Sequence, residues 1–308
     1  MVSRDGNGWV RCALGHRHWG RYGAAGLLAY VTGGPVLLQR RTWWSHHGGT
    51  WGLPGGARDS HESALAAALR EAAEECGVPP SAVTPRGIFT DDHGGWSYTS
   101  VLAEAADPFP VQSDDDETDE VAWVGAPQVA SLDLHPGLAA HWAQLHAELS
   151  PLTVIVDGAN VVGSRPDGWW RDRPGAARRL RDELAPLVGE GITTLPDGMA
   201  SAAENGTGRR YGRGERGMAK MADGVIQMRW MPDVVMVVEG AARPAAADQV
   251  ESPVRVVAAS GSGDDAIAEL AGQLPGRRIV VTADRELRDR CRAAGACVAG
   301  PSWLLGLR

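Results

Sequence analysis

Several features of membrane, secreted and disordered proteins are missing from this sequence. No apolar run approaches the about 18 residues of a membrane helix, and the first residues lack the basic-then-apolar pattern of a secretion signal. The four cysteines form no C-x-x-C pair, which excludes a disulfide scaffold in a chain of 308 residues. Glycine (40 residues) and proline (19) stay below the share typical of disordered chains. We therefore expect a globular protein of the cytoplasm that does not enter a membrane.

Histidine is confined to the first half of the chain. All nine histidines precede residue 150, and residues 1–150 carry nine arginines against 18 acidic residues. Residues 151–308 carry 21 basic and 20 acidic residues. A chain of this length is typical of two domains. The change in composition near Ser150 predicts one domain over 1–150 and a second over 151–308.

Hydrophobic patterning predicts an α/β fold in both halves. The first half predicts strands and a few helices, and the second half alternates strands with helices. Regular alternation is typical of a doubly wound parallel sheet. The predicted strands are 24–31, 35–39, 87–89, 98–103, 121–124, 152–156, 234–238, 254–259, 278–282 and 296–299, and the predicted helices are 60–76, 135–149, 174–188, 264–273 and 285–294.

Three glutamates lie within a single turn of the helix predicted over 60–76. Asp59 is a suitable N-cap for this helix and Gly77 a suitable C-terminal stop. Glu71, Glu74 and Glu75 are spaced i, i+3 and i+4, so their carboxylates share one face and repel one another. Hard oxygen ligands without histidine or thiolate favour Mg²⁺ or Mn²⁺. The pattern indicates a divalent metal site, with a solvated acidic helix face as the alternative.

The segment around these glutamates resembles the Nudix box, G-x5-E-x7-R-E-U-x-E-E-x-G-U. A turn of sequence WGLPGG leads into it, and the resemblance spans about residues 20–148. It implies an α/β/α sandwich with a mixed sheet. The positions in register are Gly56, Glu62, Arg70, Glu71, Ala72, Glu74, Glu75, Gly77 and Val78.

The resemblance also implies an activity. Nudix hydrolases cleave a diphosphate bonded to another moiety, usually in a nucleoside diphosphate derivative, with Mg²⁺ or Mn²⁺ bridging the phosphates while water attacks phosphorus. Glu71, Glu74 and Glu75 would bind the metal at a site that includes Gly56, with Glu62 in support. Arg70 would hold the glutamates by charge-assisted hydrogen bonds or contact the substrate.

The pattern does not single out the residue that acts as general base, nor the surface that binds the nucleobase of the substrate. Members of the family place the general base either in the box or on a later loop. Glu117 and Glu120 are the candidates on such a loop, in an acidic run whose alternative interpretation is a solvated loop.

Tryptophans beside predicted loops could stack on a nucleobase or pack in the core. Trp51 and Trp96 are the substrate-binding candidates, with Trp43 and Trp44 nearby.

A cysteine and two histidines near the start of the chain have zinc-ligand spacing. Cys12, His16 and His18 form C-x3-H-x-H, but the sequence shows no second cysteine pair to complete a tetrahedral site. We therefore expect no zinc here.

Acidic residues follow several predicted strands of the second half. Asp157 comes directly after strand 152–156, and Glu239 follows strand 234–238. Asp264 and Asp265 follow the strand ending at 259, and Asp284 follows the strand ending at 282. The carboxyl ends of parallel strands are where open α/β sheets bind ligands. With no histidine in this half, catalysis there would rest on carboxylates, on a metal, or on both.

The segments D-G-x-N, G-D-D-x-I and T-x-D-R resemble the NYN branch of the PIN-like ribonucleases, particularly the YacP-type members. This implies that Asp157, Asp264 and Asp284 hold Mg²⁺ or Mn²⁺ for RNA cleavage. Asn160 would orient Asp157, and Glu239 and Asp265 would be auxiliary acids.

A basic segment interrupts the second resemblance between residues 191 and 232. Its arginines alternate with glycine, a composition suited to a phosphate backbone or to a solvated loop. The substrate-binding candidates there are Arg209, Arg210 and Arg213.

The sequence thus predicts a Mg²⁺-dependent Nudix hydrolase acting on a nucleotide-derived small molecule, fused to a PIN-like domain that binds or cleaves RNA. Two alternatives stay open. The first domain could sense a nucleotide and regulate a ribonuclease, or the second domain could bind RNA without catalysis.

Overall fold

The computed structural model describes residues 4–113, 118–199, 224–247 and 252–307. The chain divides into two compact units. The first unit consists of Met1–Leu149 and Ser201–Met228, and in the latter segment the structure describes residues 224–228. The second unit consists of Ser150–Ala200 and Arg229–Arg308. The short segment 224–228 therefore groups with the first unit, whereas the sequence assigned it to the second. The assignment of two functional domains stays a prediction.

A mixed sheet forms the centre of the first unit. Residues 25–30 are buried at every position, so both faces of this sheet are covered. The strands are β3 (Ala24–Val31), β4 (Pro35–Arg41), β5 (Trp51–Gly52), β6 (Gly55–Ala57), β7 (Val83–Asp92), β8 (Ser97–Ala105), β9 (Thr118–Gly125) and β11 (Val225–Trp230).

The strand order gives the sheet its mixed character. The main order is β11-β7-β8-β3-β4-β5, with β6 beside β3 and β9 beside β4. β3 and β8 run parallel, whereas β4 is antiparallel to β3, β5 and β9. A separate antiparallel hairpin precedes the sheet, made of β1 (Trp9–Arg11) and β2 (Arg17–Trp19). The mixed α/β fold predicted for this half is confirmed.

One helix packs closely on the sheet through small side chains. This helix, α1 (Ala64–Cys76), buries Ala68, Ala72 and Cys76 in a cluster with Leu27 of β3. Small residues let the helix axis approach the strands, and Glu75 on the helix accordingly contacts Gln39 of β4 and the Gly55 amide of β6. The described residues of this unit also form the helices α2 (Ala126–Val129) and α3 (Pro136–Ala147) and a 3-10 turn at Pro80–Ala82.

The start of α1 differs from the prediction. Ser63 is the N-cap, and its hydroxyl accepts a hydrogen bond from the Ala66 amide at 3.1 Å. Asp59 instead accepts from the amide of Gly6 at 2.7 Å, so the prediction of Asp59 as N-cap is wrong. The predicted stop is confirmed, because Gly77 ends the helix with φ of 66°, which favours glycine.

The second unit is built on a five-stranded parallel sheet of order β13-β12-β10-β14-β15. Every residue of the central strand is buried, as expected for a parallel sheet covered on both faces. The parallel α/β architecture predicted for this half is confirmed, while its PIN-like identity stays a prediction. The strands are β10 (Leu152–Asp157), β12 (Asp233–Val238), β13 (Arg255–Ala258), β14 (Arg277–Val281) and β15 (Cys297–Ala299).

Helices alternate with these strands. Ile155, Val237 and Val280 of the sheet pack with Ile267 and Leu287, which lie on two of the helices. Among the described residues of this unit, 3-10 turns occur at Trp169–Arg171 and Gly240–Ala246. The helices are α4 (Gly158–Gly163), α5 (Arg173–Gly189), α6 (Gly263–Gln273), α7 (Arg285–Ala293) and α8 (Pro301–Leu305).

Among the residues that the structure describes, no helix combines the length and apolar character that a membrane crossing requires.

Candidate functional site

The turn before α1 brings the backbone of β6 against the glutamates. A side chain at Gly56 would place its Cβ 2.8 Å from the Glu71 carboxylate, so that carboxylate keeps its position only because residue 56 is glycine. The amide of Gly55 donates to Glu75 Oε2 at 2.8 Å. The last two glycines of the WGLPGG turn, Gly55 and Gly56, therefore form one wall of a compact acidic site.

Arg70 connects the carboxylates into one network. Its Nε and Nη2 donate to the two oxygens of Glu62 at 2.6 and 2.9 Å, a bidentate pair. Its Nη1 donates to Glu71 Oε1 at 2.7 Å and to Glu74 Oε2 at 3.3 Å. Its Nη2 also donates to the Ala57 carbonyl at 3.2 Å, which ties the helix to β6. Because its guanidinium bonds the carboxylates of Glu62, Glu71 and Glu74, Arg70 holds these three side chains in position.

Glu74 and Glu75 differ in their surroundings. Glu75 is buried, and its Oε2 also accepts from Gln39 Nε2 at 3.0 Å. The Glu74 side chain is 40% exposed and pairs with Arg4 as well as Arg70. One carboxylate is thus fixed against the sheet, while the other faces solvent, where a substrate phosphate could approach.

The charges of the cluster are perturbed by burial and by Arg70. Burial raises the pKa of Glu71, and the hydrogen bond from Arg70 opposes that rise. The hydrogen bond from Arg70 lowers the pKa of Glu62, which is therefore ionised. Bonding to Glu62 in turn raises the pKa of Arg70 above its ordinary value. Carboxylates that surround the Arg70 guanidinium beside Gly55 and Gly56 provide a set of hard oxygen donors.

The candidates for the general base lie on or before β9. Glu117 is outside the described residues. Glu120 pairs with Arg40 at 3.3 Å, and the two residues are opposite each other in the β4–β9 register. Gln39, which contacts Glu75, is the neighbour of Arg40 on β4, so Glu120 lies on the opposite face of the sheet from that contact. The base role of Glu120 stays a prediction.

The tryptophan candidates have different exposures. Trp96 is 9% exposed, its ring stacks on His18 at 3.8 Å, and its Nε1 donates to the Trp19 carbonyl. Trp51 is half-buried in β5, with its backbone bonded to Asp133 and His135. Trp43 is 81% exposed on the loop between β4 and β5. The substrate roles of Trp51 and Trp96 stay predictions, and Trp43 offers a more accessible ring than either.

The C-x3-H-x-H segment acquires a fourth partner in the fold. Cys12, His16 and His18 gather with His93, and one ligand atom of each lies within 4.8 Å of the others. Burial, with the neighbouring His93 and His16, lowers the pKa of His18 to about 4. Sequence reasoning missed His93 because 75 residues separate it from His18.

The acids of the second unit cluster at the carboxyl edge of the parallel sheet. Asp157 ends β10 and is 7% exposed, and burial raises its pKa, with Asp264 and Glu239 adding to the rise. The pKa of Asp264 is raised by burial and then by Asp284 and Glu239. Asp157 thus lies close enough to Asp264 and Glu239 to feel their charge, and Asp264 close enough to Asp284 and Glu239, while the metal-binding role of these acids stays a prediction.

Hydrogen bonds around Asp157 fix the loops at this edge. The amide of Asn160 donates to Asp157 Oδ1 at 3.0 Å, and the Thr282 hydroxyl donates to Asp157 Oδ2 at 2.8 Å. The Asn160 side chain accepts from the Ala283 amide at 2.9 Å, so its backbone rather than its side chain contacts Asp157. Thr282 is a site residue that the sequence analysis did not single out, although it opens the T-x-D-R segment.

The remaining acids have local partners. Glu239 Oε2 accepts from the Gly263 amide at 2.7 Å, at the start of α6. Asp265 pairs with Arg290 at 2.7 Å, and Asp284 is the N-cap of α7. The predicted RNA contacts Arg209, Arg210 and Arg213 lie outside the described residues.

Comparison with known proteins concerns the first half of the chain. The NUDIX domain model matches residues 20–145. "Putative 8-oxo-dGTP diphosphatase 3" from Mycobacterium tuberculosis is 45% identical over 164 residues, covering 50% of this chain and 74% of the relative. A "Nucleoside triphosphate pyrophosphatase/Nudix hydrolase fusion protein" from Bifidobacterium longum is 39% identical over 159 residues, covering 49% of this chain and 33% of that protein.

One solved structure is similar to part of this chain. The Nudix hydrolase RenU from M. smegmatis is 49% identical, covers 46% of this chain and 94% of its own, and has a TM-score of 0.43. With its glutamates, Arg70 and Gly56 arranged as described, and with a relative of which it covers about three quarters, this chain belongs to the Nudix hydrolase family.

Proposed function

We propose that the first unit hydrolyses the diphosphate linkage of a nucleoside diphosphate derivative, with Mg²⁺ or Mn²⁺ as cofactor. The observation that carries this proposal is the acidic site in which Arg70 bonds Glu71 and Glu74, and in which the Gly55 amide bonds Glu75. An oxidised deoxyguanosine triphosphate is the first substrate to test, because the relative from M. tuberculosis is named for that activity.

The donor set fits the proposed cation. Carboxylate oxygens are the ligands that Mg²⁺ and Mn²⁺ prefer, and the absence of a side chain at Gly56 leaves room beside Glu71. Glu71, Glu74 and Glu75 would hold the cation. When bound, such a cation neutralises phosphate charge and makes water a better nucleophile at neutral pH.

The chain's own residues then have distinct tasks. Arg70 fixes the angle of Glu62 and Glu71, and Gly55 with Gln39 fixes Glu75. Glu74, which is exposed, faces the side from which a phosphate arrives. Preorganised charges of this kind stabilise a transition state without reorganising during the reaction.

The test is a product-identity and phosphate-release assay with Mg²⁺ or Mn²⁺ over a panel of nucleoside diphosphate derivatives, 8-oxo-dGTP among them. The double variant Glu74→Gln, Glu75→Gln should lose at least about 100-fold in kcat/KM on whichever compound the wild type cleaves. Glu104→Gln is the matched control, because Glu104 lies on β8 and bonds Arg86 and Thr32 instead. Wild-type protein that binds a nucleotide but turns over none would favour the nucleotide-sensing alternative.

A second activity is proposed for the second unit, which would bind and cleave RNA with Mg²⁺ or Mn²⁺. The observation that favours it is the placement of acids at the carboxyl edge of a parallel sheet, where Asp157 ends β10 and where Glu239, Asp264 and Asp284 follow β12, β13 and β14. Asp157 is locked from both sides by Asn160 and Thr282.

This proposal is tested with short labelled RNAs and either metal. The variant Asp157→Asn should abolish cleavage, and Asp167→Asn, an exposed acid of the same unit, should leave it intact. RNA that is bound equally by wild type and Asp157→Asn but cut by neither would indicate a binding module without catalysis.

A further inference from the structure

A cluster of potential metal ligands, unlike the acidic site, lies where the β1–β2 hairpin meets the turn between β7 and β8. Four side chains converge there: Cys12, His16, His18 and His93. Cys12, His18 and His93 are each less than 7% exposed. One thiol and three imidazoles form the nitrogen and sulfur donor set that zinc prefers, in contrast to the oxygen donors of the Nudix site.

The spacing of two ring nitrogens matches tetrahedral zinc. His93 Nδ1 and His18 Nε2 are 3.3 Å apart. Two ligands at a zinc–nitrogen distance of 2.0–2.1 Å and tetrahedral angles are separated by about 3.3 Å. The three imidazole rings are also mutually perpendicular to within 20°, with centroids 4.9–6.1 Å apart, so they can point their nitrogens at one centre.

A carboxylate orients one of these rings from behind. His93 Nε2 lies 2.9 Å from Asp91 Oδ2, which also contacts His141 Nε2 at 3.1 Å. A ring nitrogen that donates to a carboxylate carries the proton, which leaves the lone pair on Nδ1, the atom facing the cluster. A carboxylate–histidine pair of this kind is the usual support of a zinc-bound imidazole.

The cluster is also held by groups that do not ligate. Trp96 stacks flat on His18, with an angle of 7° between the rings. The Ala13 amide donates to the Gly94 carbonyl at 2.8 Å, which joins the two turns that carry the ligands. Within the part of the chain that the structure describes, His16 Nδ1 is buried without a hydrogen-bond partner, a polar atom that a metal would satisfy.

We propose that Cys12, His16, His18 and His93 bind one Zn²⁺, with Asp91 positioning His93. Four protein ligands complete a tetrahedral shell and leave no open position, so the site is structural rather than catalytic. Its effect is to fasten the β1–β2 hairpin to the sheet at the β7–β8 turn.

The first test is the zinc content of the full-length, tag-free protein purified from zinc-supplemented cells, measured by inductively coupled plasma mass spectrometry. One zinc per chain is expected in wild type. Zinc should be lost in Cys12→Ser and in His93→Gln and retained in the control Cys297→Ser, whose thiol belongs to the second unit. Wild type with less than about one tenth of an equivalent, or Cys12→Ser with a full equivalent, would overturn the proposal.

A second test does not depend on whether ligand variants fold. Wild-type protein stripped of metal with a chelator is titrated with Co²⁺, which should give the visible and near-ultraviolet bands of tetrahedral thiolate coordination. The variant Asp91→Asn should keep the same bands but bind zinc about 10–100-fold more weakly. Wild-type protein that gives no thiolate band with Co²⁺ would remove Cys12 from the ligand set and overturn the proposed site.

Discussion

Gly56 is the residue at which the smallest chemical change should disturb the acidic site. In Gly56→Ala, a Cβ 2.8 Å from the Glu71 carboxylate would force that side chain out of its position beside Arg70. Displacements of this size typically cost about 100-fold in rate. We expect Gly56→Ala to fold and to lose about 10–100-fold in kcat/KM, measured on the substrate that the panel identifies.

Gly52→Ala provides the control from the same turn. The nearest atom to a Cβ at Gly52 is His135 Cβ at 3.8 Å, an ordinary contact. If both alanine variants turned over substrate at the wild-type rate, the position of Glu71 would not matter for catalysis.

Residue identities in the box were predictable because their reasons are local. Glu71, Glu74 and Glu75 share a helix turn by spacing alone, and Arg70 adjoins them in sequence. His93 and Thr282 were not predictable in this way. Their partners His18 and Asp157 are distant in sequence, and only the folded sheets bring them together.

At the scale of the element, the N-cap of α1 holds the helix that carries the site. Ser63→Ala removes the acceptor for the Ala66 amide and should lower the free energy of unfolding by about 1 kcal/mol. Ser63→Asp keeps an acceptor and should match wild type. Urea unfolding followed by circular dichroism measures both variants, and equal midpoints for Ser63→Ala and wild type would show that the cap contributes nothing.

The N-cap of α3 predicts a pH dependence. His135 Nδ1 accepts from the Gly137 amide at 3.2 Å, and burial, together with His47, Arg41 and His46, lowers the pKa of His135 to about 4. The unfolded side chain has a pKa of about 6.5, so between pH 6.5 and 4 the unfolded chain binds more protons and the free energy of unfolding falls as the pH falls.

His135→Asn should remove the contribution of His135 while keeping a capping acceptor. The contribution of His18, whose pKa is also about 4, should remain in both proteins. At pH 7.5 the variant and wild type should have similar stability. Between pH 7.5 and pH 5 the free energy of unfolding should fall less in the variant than in wild type. The difference, measured by urea unfolding, should be at most about 2 kcal/mol. A parallel decline of both proteins between pH 7.5 and 5 would contradict the assignment to His135.

Elements with strong periodicity were predicted closely, and short ones were missed. The prediction of a strand at 24–31 coincides with β3, and the helix predicted at 174–188 lies within α5. The hairpin of β1 and β2 and the two-residue strand β5 are too short to show a period. The strand conformation of these segments depends on hydrogen bonds to a neighbouring strand, β1 with β2 and β5 with β4, rather than on a pattern in their own sequence.

At the scale of the whole molecule, two separate sites predict two separable activities. The double variant Glu74→Gln, Glu75→Gln should lose nucleotide hydrolysis and keep RNA cleavage, and Asp157→Asn should show the converse. Both assays are run on the same full-length preparations, with each variant's far-ultraviolet circular dichroism compared with wild type. Loss of both activities in either variant would show that the sites depend on each other.

The first sheet includes a strand, β11, that the ribosome synthesises long after the other strands of that sheet. β11, whose residues 225–228 belong to the first unit, lies next to β7 at the end of the strand order. Until the ribosome has added these residues, the outer hydrogen-bonding groups of β7 have no strand beside them, and open edges of this kind attract other chains. A nascent or truncated chain that stops at Leu149 would therefore be expected to need a chaperone, or to aggregate, where the full-length chain does not.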